Sequence, residues 1–150
     1  MTKIDDINRR ILRTLESDGR ISNADLAAQV GLSPSACLRR VQELEKAGVI
    51  KGYRAVVDRT ALEGGLTVYV AVGLSEHSKD AQRAFERAMG PSAEVRELHN
   101  VTGVVEYLLR VEARDIEAYK AFHTDVLGAA PHVSAITSYV VMGSPKDERG

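Results

Sequence analysis

The chain has 150 residues, with 20 Lys and Arg against 21 Asp and Glu and a net charge of −1. That length holds one or two domains, and no stretch approaches the roughly 18 apolar residues of a membrane span. The charged opening MTKIDDINRR has no apolar leader core, and the single cysteine excludes an internal disulfide, so a cytoplasmic location is expected.

Ile4, Ile7, Ile11, Leu12 and Leu15 recur at helical spacing and predict a first helix, closed by Gly19. Arg9, Arg10 and Arg13 fall toward its polar side. In SNADLAAQVGLSPSACLRRVQELEKAG (22–48), Ser22 and Asp25 form a capping box for a second helix, and Gly31 ends it. Ser33 caps a third helix, Pro34 takes its first position, and Gly48 stops it. Two short helices joined by Gly-Leu-Ser predict a helix-turn-helix, whose second helix enters the DNA major groove.

At 100° per residue, Pro34, Cys37, Leu38, Val41 and Leu44 share one side of that helix and face a small core. Cys37 reads there as a small buried residue. The other side carries Ser35, Ala36, Arg39, Arg40 and Glu43. With the capping Ser33, these are the candidate DNA contacts, and the arginines suit guanine edges and phosphates alike. On spacing alone, an ordinary solvated surface with two basic residues remains open, because the same geometry occurs in proteins that never touch DNA.

Residues 1–60 carry a balance of +3 and residues 61–150 a balance of −4, the polarity expected of a DNA-reading half joined to a half with another task. One weakly basic copy would bind DNA poorly, which argues for assembly. VIKGYRAVV reads as a reduced β wing with a turn at Lys51-Gly52, and DRTALEGG (58–65) as a linker. The expected organisation is a winged helix-turn-helix over 1–58, a linker over 59–65, a second domain over 66–143 and a loose tail over 144–150.

In the second domain, Leu66, Val68, Val70, Val72 and Leu74 alternate on a strand. A helix is predicted over 78–89, with Ala81, Ala84, Phe85 and Ala88 inward and Pro91 as its stop. Strands over 93–101 and 104–112 flank a turn at Thr102-Gly103. A helix over 115–127 has Ile116, Tyr119, His123, Val126 and Leu127 on one stripe, and a last strand covers 132–142. The order βαββαβ is the ferredoxin-like split, so the chain as a whole is α+β. One sheet face is left uncovered near Tyr69, Ala71 and Tyr139, and self-association through it is expected. His77, His99, His123 and His132 show no metal-ligand spacing, and no metal or cofactor is expected.

Through IDDINRRILRTLESDGRISNADLAAQVGLSPSACLRRVQELEKAGVIKGY, HNVTGVVEYLLRV and TSYVVM, the chain resembles the Lrp/AsnC family of transcriptional regulators along nearly its whole length. The resemblance implies a regulator that binds double-stranded DNA with its first domain. It implies an amino acid or related small molecule as effector, bound by the second. It further implies homodimers that assemble onward, often into rings of four dimers, with effector held between dimers.

The family's pattern of Gly, two variable residues, Asp and often Tyr falls on Gly103, Val104, Val105, Glu106 and Tyr107, so Glu replaces the usual Asp. A glycine lets a ligand approach the backbone, and the carboxylate can pair with a ligand ammonium. In the last strand Ser138 matches a frequent hydroxyl position, Ile136 replaces another, and Ser134 lies two residues earlier on the same face. The candidate effector residues are therefore His99, Thr102, Gly103, Glu106, Ser134 and Ser138. Without the resemblance, Glu106 reads as an exposed strand-edge charge.

Two other functions compete. Some haem-pathway decarboxylases resemble this family in both domains, but they need basic residues in the cleft where this chain has Glu106. An architectural DNA protein would share the first domain and ignore ligand. The expectation is a regulator and not an enzyme.

Overall fold

The computed structural model describes residues 4–58 and 65–147. The linker apart from Gly65, and the end of the tail, lie outside them. The chain divides into two compact units, Met1–Val56 and Val57–Gly150.

The first unit has three helices, α1 (Asp6–Ser17), α2 (Asn23–Val30) and α3 (Pro34–Lys46). Each starts on a side-chain oxygen that accepts a backbone N–H three residues on. Asp5 takes that of Asn8 at 2.8 Å, Ser22 that of Asp25 at 3.1 Å and Ser33 that of Ala36 at 3.3 Å. The Ser22 hydroxyl also donates to the Asp25 carboxylate at 2.6 Å. Gly31, at φ 73°, ends α2 in the left-handed conformation. The Asn23 amide donates to the Pro34 carbonyl at 2.8 Å, so the start of α2 holds the start of α3. Arg10 donates to the Gln29 carbonyl at 2.6 Å, at the end of α2 where carbonyls lack helical partners.

Ile11, Leu26, Ala27, Val30, Cys37 and Leu44 form the buried core, with Ile4, Ile7, Leu12, Leu15, Ile21, Leu32, Val41 and Ile50 packed round it. One expectation is corrected. Leu38 is 46% exposed, and Pro34 is exposed, because the stripe covered by α1 and α2 follows Cys37, Val41 and Leu44. The wing segment forms no strand among the described residues. A β-hairpin needs two paired strands, and residues 51–58 run as irregular chain. Tyr53 instead lies against Gly19 and donates to Glu45 at 2.9 Å.

The second unit contains β1 (Leu66–Leu74), α4 (Lys79–Met89), β2 (Val95–Asn100), β3 (Tyr107–Ala113), α5 (Ile116–Ala121) and β4 (Val133–Val140). The sheet is antiparallel in the order β2-β3-β1-β4, as the ferredoxin-like reading requires. Val68, Val70 and Val72 on β1 and Leu109 and Val111 on β3 face the core with Phe85, Met89, Tyr119, Phe122 and Leu127 from the helices. Tyr107 stacks at 4.8 Å on Phe85 and donates to Glu86 at 2.8 Å. Burial and that carboxylate push its phenol up to about 12, so it stays a neutral donor.

The helices depart from the predicted faces. Ala88 is exposed and Met89 buried at the end of α4. After Ala121 the predicted last helix widens into a π-helical turn, Phe122–Leu127. Across the wider turn, burial steps five residues from Phe122 to Leu127, and Ile116 at the start of α5 is exposed. The β2–β3 connection is also longer than the expected turn. Residues 101–106 form a loop, closed by the Val101 N–H on the Glu106 carbonyl at 2.9 Å, with Gly103 at φ 132°.

Among the described residues, no element of this unit covers the opposite sheet face. Tyr69 pairs in register with Tyr139 and Arg110, and Ala71 with Leu108 and Thr137. Arg110 is held between Glu97 at 2.9 Å and Glu112 at 2.6 Å.

Candidate functional site

The capping Ser33 and the polar side of α3 place Ser33, Ser35, Arg39 and Glu43 in solvent and Ala36 at half burial. The two neighbouring arginines differ. Arg39 is exposed. Arg40 reaches back to the N-terminus of α1, where one nitrogen donates to the Asp5 carboxylate at 2.8 Å and to the Asn8 side-chain oxygen at 3.1 Å. Asp5 is thus cap and anchor together. The Asn8 amide and the Arg40 guanidinium hold its carboxyl below the usual carboxylate range. Asn8 is itself buried. Sequence reading missed Asp5 and Asn8. The signal for Asp5 was present in IDDIN, since an Asp at the start of an apolar-periodic run is an N-cap pattern.

The second unit gathers a different site at the β1 end next to the 101–106 loop. Glu106 is aligned by its N–H on the Val72 carbonyl at 3.2 Å, which extends the β3–β1 ladder by one step. Its side chain is only 13% exposed. One carboxylate oxygen accepts the Leu74 backbone N–H at 2.7 Å, and the other lies 2.7 Å from His77 Nδ1. The Leu74 amide, then His77, hold the carboxyl below its ordinary value against the opposing effect of burial. Leu74 is free to donate this way because the β1–β4 register shifts between Gly73 and Leu74.

Gly73 forms the floor. A side chain begun there would meet the Ala135 Cβ at 3.4 Å, Ser134 Oγ at 3.7 Å and Glu106 Oε2 at 3.8 Å. Ser134 donates to the Gly73 carbonyl at 3.1 Å. Glu106 and Ser134 are therefore brought together at Gly73, while Thr102 and Gly103 lie exposed in the loop that leads into Glu106.

Ser138 does not join Glu106 and Ser134. It pairs with Val70 on the helix-covered face and hydrogen-bonds the Tyr119 hydroxyl. The expected common face for Ser134 and Ser138 fails because the register shift interrupts the alternation between them. His99 opposes Leu108 on the uncovered face and lies 3.2 Å from Glu97. Sequence reading weighed His77 only as a metal ligand. Among the described residues no cluster of metal-ligating side chains occurs.

A helix-turn-helix presenting a polar third helix, joined to a ferredoxin-like unit with a carboxylate at a loop-lined corner, defines a DNA-binding regulator with a ligand-binding domain. Residues 4–51 match the winged helix-turn-helix DNA-binding family, and residues 67–150 match the Lrp/AsnC ligand binding domain. The chain belongs to the Lrp/AsnC family of transcriptional regulators. It is 39% identical over 143 residues to the leucine-responsive regulatory protein of Escherichia coli, covering 95% of this chain and 87% of that protein. A transcriptional regulator of Neisseria meningitidis, solved as a complex with L-Met, superposes with a TM-score of 0.90 at 32% identity, over 97% of this chain and 94% of that one. An AsnC family regulator of Agrobacterium tumefaciens gives 0.88 at 35% identity, over 95% and 93%. These relatives are regulators and not enzymes. No helix among the described residues is long and apolar enough to cross a membrane.

Proposed function

We propose that the chain reads specific DNA sequences through α3 and that an amino acid or related metabolite, bound between dimers, sets its activity. The observation that carries the reading is the corner at Glu106. A carboxylate held ionised lies beside a glycine floor and a glycine-containing loop, in a unit covalently joined to a DNA-reading head. An ammonium group needs such a carboxylate, and backbone exposed at glycines serves a ligand carboxylate. The L-Met complex of the Neisseria relative supports an amino acid as the class of ligand.

On the head, Ser33, Ser35, Ala36, Arg39 and Glu43 make the groove contacts, and Arg40 orients the helix by gripping Asp5. In the second unit Glu106 takes the ammonium, with Gly103, Thr102 and Ser134 around it. His99 joins the site from the uncovered sheet face, and Ser138, on the helix-covered face, takes no part in it. That face associates with a second copy. The dimers assemble further, up to a ring of four, and the chain works in the cytoplasm.

The test has two arms. Selection from a random duplex pool should enrich a defined sequence. A thermal-shift screen of the twenty amino acids should give stabilisation by at least one. A ligand at about 100 times its dissociation constant contributes about 2.7 kcal/mol. No enriched sequence would overturn the DNA arm, and no stabilising amino acid would overturn the effector arm.

A further inference from the structure

The Glu106 carboxylate already holds an imidazole partner. His77 Nδ1 lies 2.7 Å from Glu106 Oε1, yet the imidazole is 84% exposed while the carboxylate is 13% exposed. The ring is therefore an outer cover on an inner charge, with room to swing into solvent. Its backbone is fixed on both sides. Ser75 donates to the His132 carbonyl at 2.7 Å, and Ser78 caps α4 by accepting the Ala81 N–H at 3.2 Å. The inner oxygen is bound by the Leu74 amide, which no ligand needs to displace. The outer oxygen is the one an arriving ammonium would reach, and His77 occupies it.

We propose that His77 is a resident competitor for the effector's ammonium, released from Glu106 when effector binds. The proposal rests on the reading of Glu106 as the effector carboxylate and extends it to a residue that sets affinity. Among the described residues, the charged or titratable groups recorded against the Glu106 side chain are His77, from the loop after β1, and the Tyr107 phenol on β3. β1 offers the Leu74 amide and β4 the Ser134 hydroxyl, and neither titrates in this range. The phenol is neutral across the physiological range. Histidine is the side chain that ordinarily changes charge between about pH 5 and 8, whereas an amino acid's ammonium and carboxylate are both ionised throughout that window.

The sign follows. A protonated imidazole binds the carboxylate through a charge-assisted hydrogen bond, roughly twice as strong as a neutral one. Acidification therefore strengthens the competitor and weakens effector binding. Loss of His77 removes the competitor at every pH, most of all at low pH.

The test titrates each of the twenty L-amino acids against the full chain by thermal shift and calorimetry at pH 8 and about pH 5.5. Wild type is compared with His77→Ala and Glu106→Gln. His77 is a surface side chain, so its removal leaves the core intact. The expected result is that wild type binds its best amino acid about five- to tenfold more weakly at the lower pH. His77→Ala should bind more tightly than wild type and lose that pH dependence. Unchanged affinity and pH profile in His77→Ala, with Glu106→Gln still weakened, would overturn the competitor and leave the effector reading standing. Stronger wild-type binding on acidification, abolished in His77→Ala, would also overturn it, since the imidazole would then be gripping the ligand's carboxylate. Equal binding by wild type and Glu106→Gln, or binding of no amino acid by any of the three proteins, would overturn the effector reading and the competitor together.

Discussion

Arg39 and Arg40 are adjacent in sequence and chemically identical, yet they stand in different environments. Arg39 projects from α3 into solvent, while Arg40 is tied at 2.8 Å to the carboxylate that starts α1. Arg39→Ala is therefore expected to leave the melting temperature unchanged and to weaken operator binding by about 1–3 kcal/mol if it reads a base. Arg40→Ala is expected to lower both, because α3 loses a tether as well as a charge. Melting curves beside anisotropy titrations separate the two. Asp5 carries the matching pH dependence. Its folded pKa lies below the ordinary aspartate value, so its contribution is present above that value and is lost as pH falls through the folded one. The gap in melting temperature between wild type and Asp5→Asn should accordingly close as the solution is acidified below about pH 4. A constant gap would detach Asp5 from the stability of the head. The arginine pair also marks a limit of sequence reading. Helical spacing puts both on the polar side, but only the folded packing of α1 against α3 brings Asp5 and Asn8 within reach of one of them.

Helix ends were the most legible features. Ser22, Ser33 and Gly31 perform the roles their types predict, because capping depends on neighbours within three residues. Gly31 gives a clean test of that local physics. A methyl added there meets nothing within 4 Å, so the cost of Gly31→Ala comes from φ +73° alone. Chemical denaturation should show a loss of about 1–2 kcal/mol. A much larger loss would mean that the turn between α2 and α3 had rearranged. What the sequence concealed lies where tertiary contacts override local periodicity. The π-helical turn after Ala121 adds a residue to one turn and buries Phe122 and Leu127 five residues apart, which a 3.6-residue template cannot anticipate. The register shift at Gly73 likewise separates Ser134 from Ser138 and frees the Leu74 amide for Glu106. Period-two counting along β4 places both serines on one face, and that is correct only for an unbroken ladder.

Across the whole molecule, the alternation of strands and helices was enough to define the ferredoxin-like order, and the four-stranded sheet follows it. The consequence of scale is the uncovered sheet face, where Tyr139 is 59% exposed and Leu108 42% exposed. Single exposed apolar residues are ordinary, but here Tyr139 adjoins Tyr69 and Leu108 adjoins Ala71, and self-association through this face is the reading proposed above. Sedimentation at micromolar concentration is expected to give a multiple of the 16.3 kDa chain mass. Tyr139→Asp should shift the distribution toward smaller species, since a buried unpaired carboxylate is costly at an interface. A wild-type species at the mass of one chain would refute association through the sheet.

Cys37 gives the head an internal clock. It is the chain's single cysteine, it is fully buried on α3, and burial pushes its thiol up from the ordinary value. A thiol in that state reacts only when the three-helix unit opens. With alkylating reagent in excess, the labelling rate therefore reports how often the DNA-reading half unfolds, at one atom and without any engineered probe. Followed with and without DNA or amino acid, the same clock reads whether a signal received in the sheet unit reaches the head as added stability.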